Sequence, residues 1–95
     1  MNVADVILSQ IGGRAIYMIN AKNFVDVGDG VVFSIMPNNK KVTHVEIKLN
    51  GRDLYDINFY NIRGGNKKLI NREDDIFFDG LHDAIERNTE LYLSI

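Results

Sequence analysis

No cysteine occurs in this chain, tryptophan is missing too, and proline and histidine are scarce, with one proline and two histidines. Without cysteine there are no disulfides, no thiolate zinc sites and no thiol nucleophiles. No apolar run approaches the ~20 residues of a membrane span, so no membrane partner is expected. The first ten residues hold Asp5 and no base. They lack the basic start and apolar core of a secretory signal, which points to the cytoplasm. The serines, Ser9, Ser34 and Ser94, do not occur in a Gly-x-Ser-x-Gly context, and the phosphate-loop ending Gly-Lys-Ser/Thr is also missing. Neither an enzyme activity nor a cofactor is expected.

What the sequence does have is an ordinary globular composition and an uneven charge. At 45% hydrophobic and 25% charged residues, the chain is not a disordered one. Its 95 residues make a single domain, 1–95, able to bury about 60–65% of its unfolded surface. The net charge of −2 hides a split. Residues 38–72 carry eight bases against three acids, and residues 73–95 carry seven acids against one base. A separation of that kind is a long-range signal that points toward a partner.

The hydrophobic pattern places the elements. Val3, Val6, Ile7 and Ile11 repeat at helical spacing, with Asn2 as N-cap and Gly12-Gly13 as the stop. The apolar run Ala15-Ile16-Tyr17-Met18-Ile19 reads as a buried strand, with a helical fragment as the alternative. Residues 24–27 and 31–36 flank Gly28-Asp29-Gly30 as a hairpin. Residues 42–49 alternate strictly, and Asn50-Gly51 is the favoured pair for a type I′ turn into a strand at 54–62. Gly64-Gly65-Asn66 turns the chain into a lysine-bearing edge strand at 67–71. Glu73-Asp74-Asp75 then precede a last helix, where the dipole favours acids. That helix would bury Phe77, Phe78, Leu81, Ala84 and Ile85. Leu91, Leu93 and Ile95 would dock the C-terminal segment. The expected fold is α+β with the order α-β-β-β-β-β-α, a two-layer domain with an antiparallel sheet of about five strands.

Three side-chain groups could carry function. Asp79, His82, Asp83 and Glu86 share one helix face, a spacing that suits either a divalent ion or, more plainly, a solvated surface. The second reading is the expectation, so no metal is assigned. His44 and Glu46 lie two residues apart on one strand face and are within reach of each other. Arg63, Lys67 and Lys68 flank the glycine turn, where backbone N–H groups and cations suit phosphate. Tyr55, Phe59 and Tyr60 on the preceding strand would supply stacking surfaces for bases.

Gly12-Gly13, Met18 followed by Ala21-Lys22-Asn23-Phe24, residues 53–59, Ile62-Arg63-Gly64 and the ending Leu91-Tyr92-Leu93-Ser94-Ile95 together resemble a group of small proteins encoded by bacteriophages and related mobile elements. Where that group has a Val-Tyr pair before the last helix and Thr-Gly before the closing Leu-Tyr, this chain has Phe77-Phe78 and Thr89-Glu90. The resemblance implies a viral or mobile-element origin and a site of action in the host cytoplasm. It does not imply an activity, but small proteins of that origin often bind host proteins. With the split charge and the lack of a catalytic constellation, the expected function is a non-enzymatic inhibitor, of the anti-CRISPR or another anti-defence kind, that occupies the surface of a host protein or ribonucleoprotein complex. The expected contact residues are Asp79, Asp83 and Glu86 on one side and Arg63, Lys67, Lys68 and Tyr60 on the other, with Tyr92 as a further exposed aromatic. The alternative is a nucleic-acid-binding accessory protein that uses the basic 63–68 hairpin. An open sheet edge also leaves room for a homodimer.

Overall fold

A computed structural model describes residues 2–93. Helix α1 spans Val3–Ile11 and α2 spans Gly13–Met18. Strands β1 (Lys22–Asp26), β2 (Gly30–Ser34), β3 (His44–Leu49), β4 (Tyr55–Arg63) and β5 (Asn66–Ile76) follow. A single 3₁₀ turn, Phe78–Gly80, leads into α3 (Leu81–Thr89). The five strands form one antiparallel meander in sequence order. It is the expected α+β fold, with helices at both ends of the chain packed on one face of the sheet.

Alternation decides which face is covered. Val31 and Phe33 of β2, Val45 and Ile47 of β3, and Tyr55, Ile57 and Phe59 of β4 point at the helices. Ala4, Ile7 and Ile11 of α1, Ala15 and Ile19 from α2 and its cap, and Leu81, Ala84 and Ile85 of α3 meet them to form the core. The opposite face carries His44, Glu46, Lys48, Asp56, Asn58 and Tyr60, and no helix or strand among the described residues packs above it. Asn2 caps α1 by accepting from Asp5 N at 2.9 Å. No helix among the described residues is long and apolar enough to cross a membrane.

Four local expectations need correction. Residues 15–19 are not a strand. They form α2 and its cap, because Ala15 and Ile19, four apart, are the two fully buried positions, which is a helical period hidden inside an unbroken apolar run. Asn50-Gly51 does not make a two-residue turn either. Leu49 pairs with Tyr55 across a five-residue loop, organised by the Asn50 side chain. Its Oδ1 accepts from Arg52 N and Leu54 N, and its Nδ2 donates to Asp56 and Asp75. An asparagine that satisfies four groups at once closes the loop better than the tighter turn would. At the other end of β4, Gly64 and Gly65 do form the two-residue turn, both at positive φ, with Arg63 opposite Asn66.

The third correction concerns Glu73-Asp74-Asp75, which do not start a helix. They extend β5 to eleven residues, which pair along the nine-residue β4 with two register shifts taking up the difference. Each acid then finds a cation: Glu73 with Arg87, Asp74 with Arg72 and Asp75 with Arg52. Last, Phe77 and Phe78 are outside the core, at 64% and 60% exposure. Leu93 is buried and Leu91 packs partly against the core, as expected of a docked end. Ile95 lies outside the described residues.

Candidate functional site

The turn bearing Asp79 and the basic Arg63–Lys68 turn lie at opposite ends of the β4–β5 ladder. The β4–β5 ladder runs from Tyr55 opposite Ile76 to Arg63 opposite Asn66. At ~3.3 Å per residue that is about 25 Å. The turn bearing Phe77, Phe78 and Asp79 follows Ile76 at one end, and Arg63, Lys67 and Lys68 sit at the other. Among the described residues no ion pair joins Asp79 or Asp83 to Arg63, Lys67 or Lys68, whereas other members of the acidic and basic segments do pair: Glu90 with Lys40, Asp74 with Arg72 and Asp75 with Arg52.

The expected acidic triad divides. Asp79 and Asp83 are exposed and lack an ion pair within 4 Å among the described residues. Glu86 is half-buried and its Oε2 accepts from Leu93 N at 2.9 Å, so it holds the C-terminal segment rather than facing outward. His82, between them in sequence, points inward and donates from Nε2 to the Ile11 carbonyl at 2.7 Å, tying α3 to α1. The four side chains therefore do not converge. Among the described residues no cluster of three or more His, Asp or Glu groups is placed to hold a metal.

Nor does the open sheet face form a catalytic pair. His44 Nδ1 shares a 2.8 Å hydrogen bond with Thr43 Oγ1. Glu46 instead accepts from Asn58 Nδ2 at 2.9 Å and from the Tyr60 hydroxyl at 3.4 Å. Burial, followed by the Glu46 carboxylate, pushes the Tyr60 hydroxyl pKa up. Lys67 Nζ lies 4.2 Å from the Tyr60 ring centroid, a cation–π contact that covers one face of the ring. Tyr55 and Phe59 are buried. Of the expected stacking surface, Tyr55 and Phe59 are therefore withdrawn into the core and Tyr60 keeps one ring face uncovered by Lys67.

At the basic end the structure adds residues that the local motif did not include. A groove of about 630 Å³ is lined by Lys40, Lys41, Asn61, Arg63, Lys68, Leu69 and Ile70. A smaller hollow of about 280 Å³ adjoins it through Lys41, Asn61 and Arg63. The loop before β3 brings Lys40 and Lys41 beside the hairpin, and Asn61 Nδ2 pins it there through the Lys41 carbonyl at 2.7 Å. Lys41 itself sits at φ +62°. The adjacent Lys40-Lys41 pair was legible as a basic loop, but its position beside Arg63 depends on the sheet register.

Two carboxylates are tuned by their surroundings. The Arg87 guanidinium holds Glu73 below the usual carboxylate range; burial opposes this and Asn88 adds to it. At Asp56, burial is the largest influence and pushes upward. Bonds from Asn50 and Asp75 N–H, with Arg72 and Arg52 nearby, outweigh it and leave the group lowered. A carboxylate whose pKa is lower folded than unfolded stabilises the fold above its unfolded pKa, and that contribution disappears as pH falls through the folded value. Urea unfolding should therefore show this stabilisation intact at pH 7 and declining below about pH 4, near the ordinary carboxylate values. Glu73→Gln should make the decline shallower; an unchanged acid slope would count against the Glu73–Arg87 pairing.

Comparison with protein-family models, with curated proteins and with solved structures finds no match.

Proposed function

We propose that the protein is a non-catalytic binding protein that occupies the surface of a partner protein, with Phe77 and Phe78 as its anchor. One observation carries this reading: two adjacent phenylalanines stand 64% and 60% exposed on a turn fixed at both ends. Ile76 packs against the core, Gly80 N bonds the Phe77 carbonyl at 2.8 Å, and Leu81 is fully buried. The rings are thus presented without much further ordering. Burying one such ring stabilises by about 1.5–3 kcal/mol, and rigid aromatics are frequent binding hot spots.

Asp79 and Asp83 lie beside the pair and would orient it toward an apolar cleft with a basic rim, affecting encounter rate and register more than affinity. Tyr92, at 76% exposure, is a further contact. The resemblance to mobile-element proteins supplies the purpose in this proposal: inhibition of a host protein or ribonucleoprotein complex, of the anti-CRISPR or another anti-defence kind, within the host cytoplasm. The two histidines support a role without chemistry, since both are occupied in hydrogen bonds to the protein itself.

The test uses a photoreactive phenylalanine analogue at position 78 and, as control, at the still more exposed Tyr17. Crosslinking to one host protein is expected from position 78 alone. Against that protein, the Phe77→Ala/Phe78→Ala double variant should bind at least about 30-fold more weakly, the scale of a hot spot. Asp79→Lys/Asp83→Lys should mainly slow association. Glu86 is left intact because it holds Leu93. Wild-type affinity in the phenylalanine double variant would remove the anchor and the reading with it.

A further inference from the structure

We infer that the basic groove between the 38–42 loop and the β4–β5 hairpin is a binding site for the sugar–phosphate backbone of a single-stranded nucleic acid, separate from the aromatic anchor. Three cations carry the inference. Lys41, Arg63 and Lys68 line the groove and have no ion-pair partner within 4 Å among the described residues, while Lys40 beside them is matched by Glu90 at 3.8 Å. Elsewhere arginines meet acids repeatedly: Arg52, Arg72 and Arg87 all do. A cluster of like charges left uncompensated in a chain of net charge −2 repels itself and draws anions.

The groups left free to meet a ligand are mostly donors. Asn38 spends its side chain on Met36 O, Val42 O and Val42 N. Thr43 Oγ1 is engaged with Ile62 N and His44. Asn61 Nδ2 is used on Lys41 O. What remains is chiefly ammonium and guanidinium, which suits an all-acceptor ligand such as a phosphate chain. A peptide would bring N–H groups that need acceptors. The two hollows meet at Lys41, Asn61 and Arg63, so the groove continues past one anion and fits a polymer.

Ile35, Pro37, Val42, Leu69 and Ile70 line it between the cations, and unpaired bases and sugars offer apolar surface that a duplex hides. No aromatic ring among the described residues lines the groove, so base stacking has no platform there and recognition would be independent of sequence. The acids that would repel a polyanion, Asp79 and Asp83, belong to the far end of the α3 side, and Glu90 is answered by Lys40.

The experiment is fluorescence anisotropy with labelled 20-nucleotide single strands, DNA and RNA, a 20-base-pair duplex and a 20-residue glutamate homopolymer, from 50 to 200 mM NaCl. Single strands should bind with a log K against log salt slope of about −2, as expected for roughly three phosphate contacts. Arg63→Glu/Lys68→Glu should weaken binding at least tenfold, and Lys22→Glu at the opposite sheet edge should leave it nearly unchanged, with circular dichroism confirming that each variant is folded. No binding at 50 mM salt, equal loss in the Lys22→Glu control, duplex binding as tight as single strand, or displacement of the oligonucleotide by an equal charge concentration of the glutamate polymer would each overturn the proposal. None of these readouts depends on Phe77 or Phe78, so the site stands or falls apart from the protein-docking reading.

Discussion

Gly30→Ala is expected to leave the protein unfolded, or to remove well over ~3 kcal/mol of stability, a loss at the extreme of single substitutions. Gly30 opens β2 opposite Lys48 and is buried. A methyl group built there would lie 1.9 Å from the Ile47 carbonyl oxygen and 2.8 Å from both Ile47 C and Lys48 Cα. These are backbone atoms inside the β2–β3 ladder, so no rotamer change relieves the contact. The strands would have to separate where Asp29 O accepts from Leu49 N at 2.7 Å and Val27 N donates to Gly30 O. That movement would displace Val31 and Phe33, both core residues. Against a total stability of about 5–15 kcal/mol for a domain, the fold has little left. Gly80 provides the contrast: its added methyl would meet only Ile76 Cγ2, at 3.4 Å, and its φ of −98° suits any residue. Gly80→Ala should stay within about 0.5 kcal/mol of wild type. Urea denaturation of the two variants measures both. A Gly30→Ala protein within 1 kcal/mol of wild type, a value on the order of an ordinary substitution, would mean that β2 and β3 do not approach this closely.

The same pair of glycines shows what sequence reasoning reached and where it stopped. Gly30 was readable as part of a hairpin loop, but the tightness around it, which Gly80 lacks, comes from Ile47 and Lys48, seventeen and eighteen residues later. Strands β3 and β4 were legible because one wet and one buried face impose an alternation of polar and apolar residues on His44–Leu49 and on Tyr55–Phe59. Strand β5 was not. Its acids mimic a helix start, and only pairing with β4 and with Arg52, Arg72 and Arg87 explains their place in a strand. The charge split was visible in the sequence, yet its meaning depended on register. Register set Glu73 against α3, placed Glu86 under Leu93, and gathered Lys41 beside Arg63. The exposed aromatic pair was hidden for a related reason. Apolar residues ahead of an amphipathic helix look like its first buried turn, and nothing local reveals that the core is already closed by Leu81, Ala84 and Ile85.

Phe59→Ala should cost about 3–5 kcal/mol, the range for truncating a buried phenylalanine. Phe77→Ala and Phe78→Ala should each cost no more than about 0.5 kcal/mol, as surface positions do. Phe59 is fully buried at the middle of β4, between Val45 on β3 and Asn71 on β5, and faces the helices. Its removal opens a void where the sheet meets the helical layer, and the ladders on both sides prevent the strand from collapsing into it. Phe77 and Phe78 reach solvent, so truncation removes area that the folded chain never shielded fully. This asymmetry also makes the docking reading testable, because a loss of partner binding in the two surface variants then cannot be assigned to unfolding. Chemical denaturation of all three variants decides it. If Phe77→Ala were as damaging as Phe59→Ala, Phe77 would belong to the core, the turn before α3 would bury its rings, and the proposed anchor would not exist.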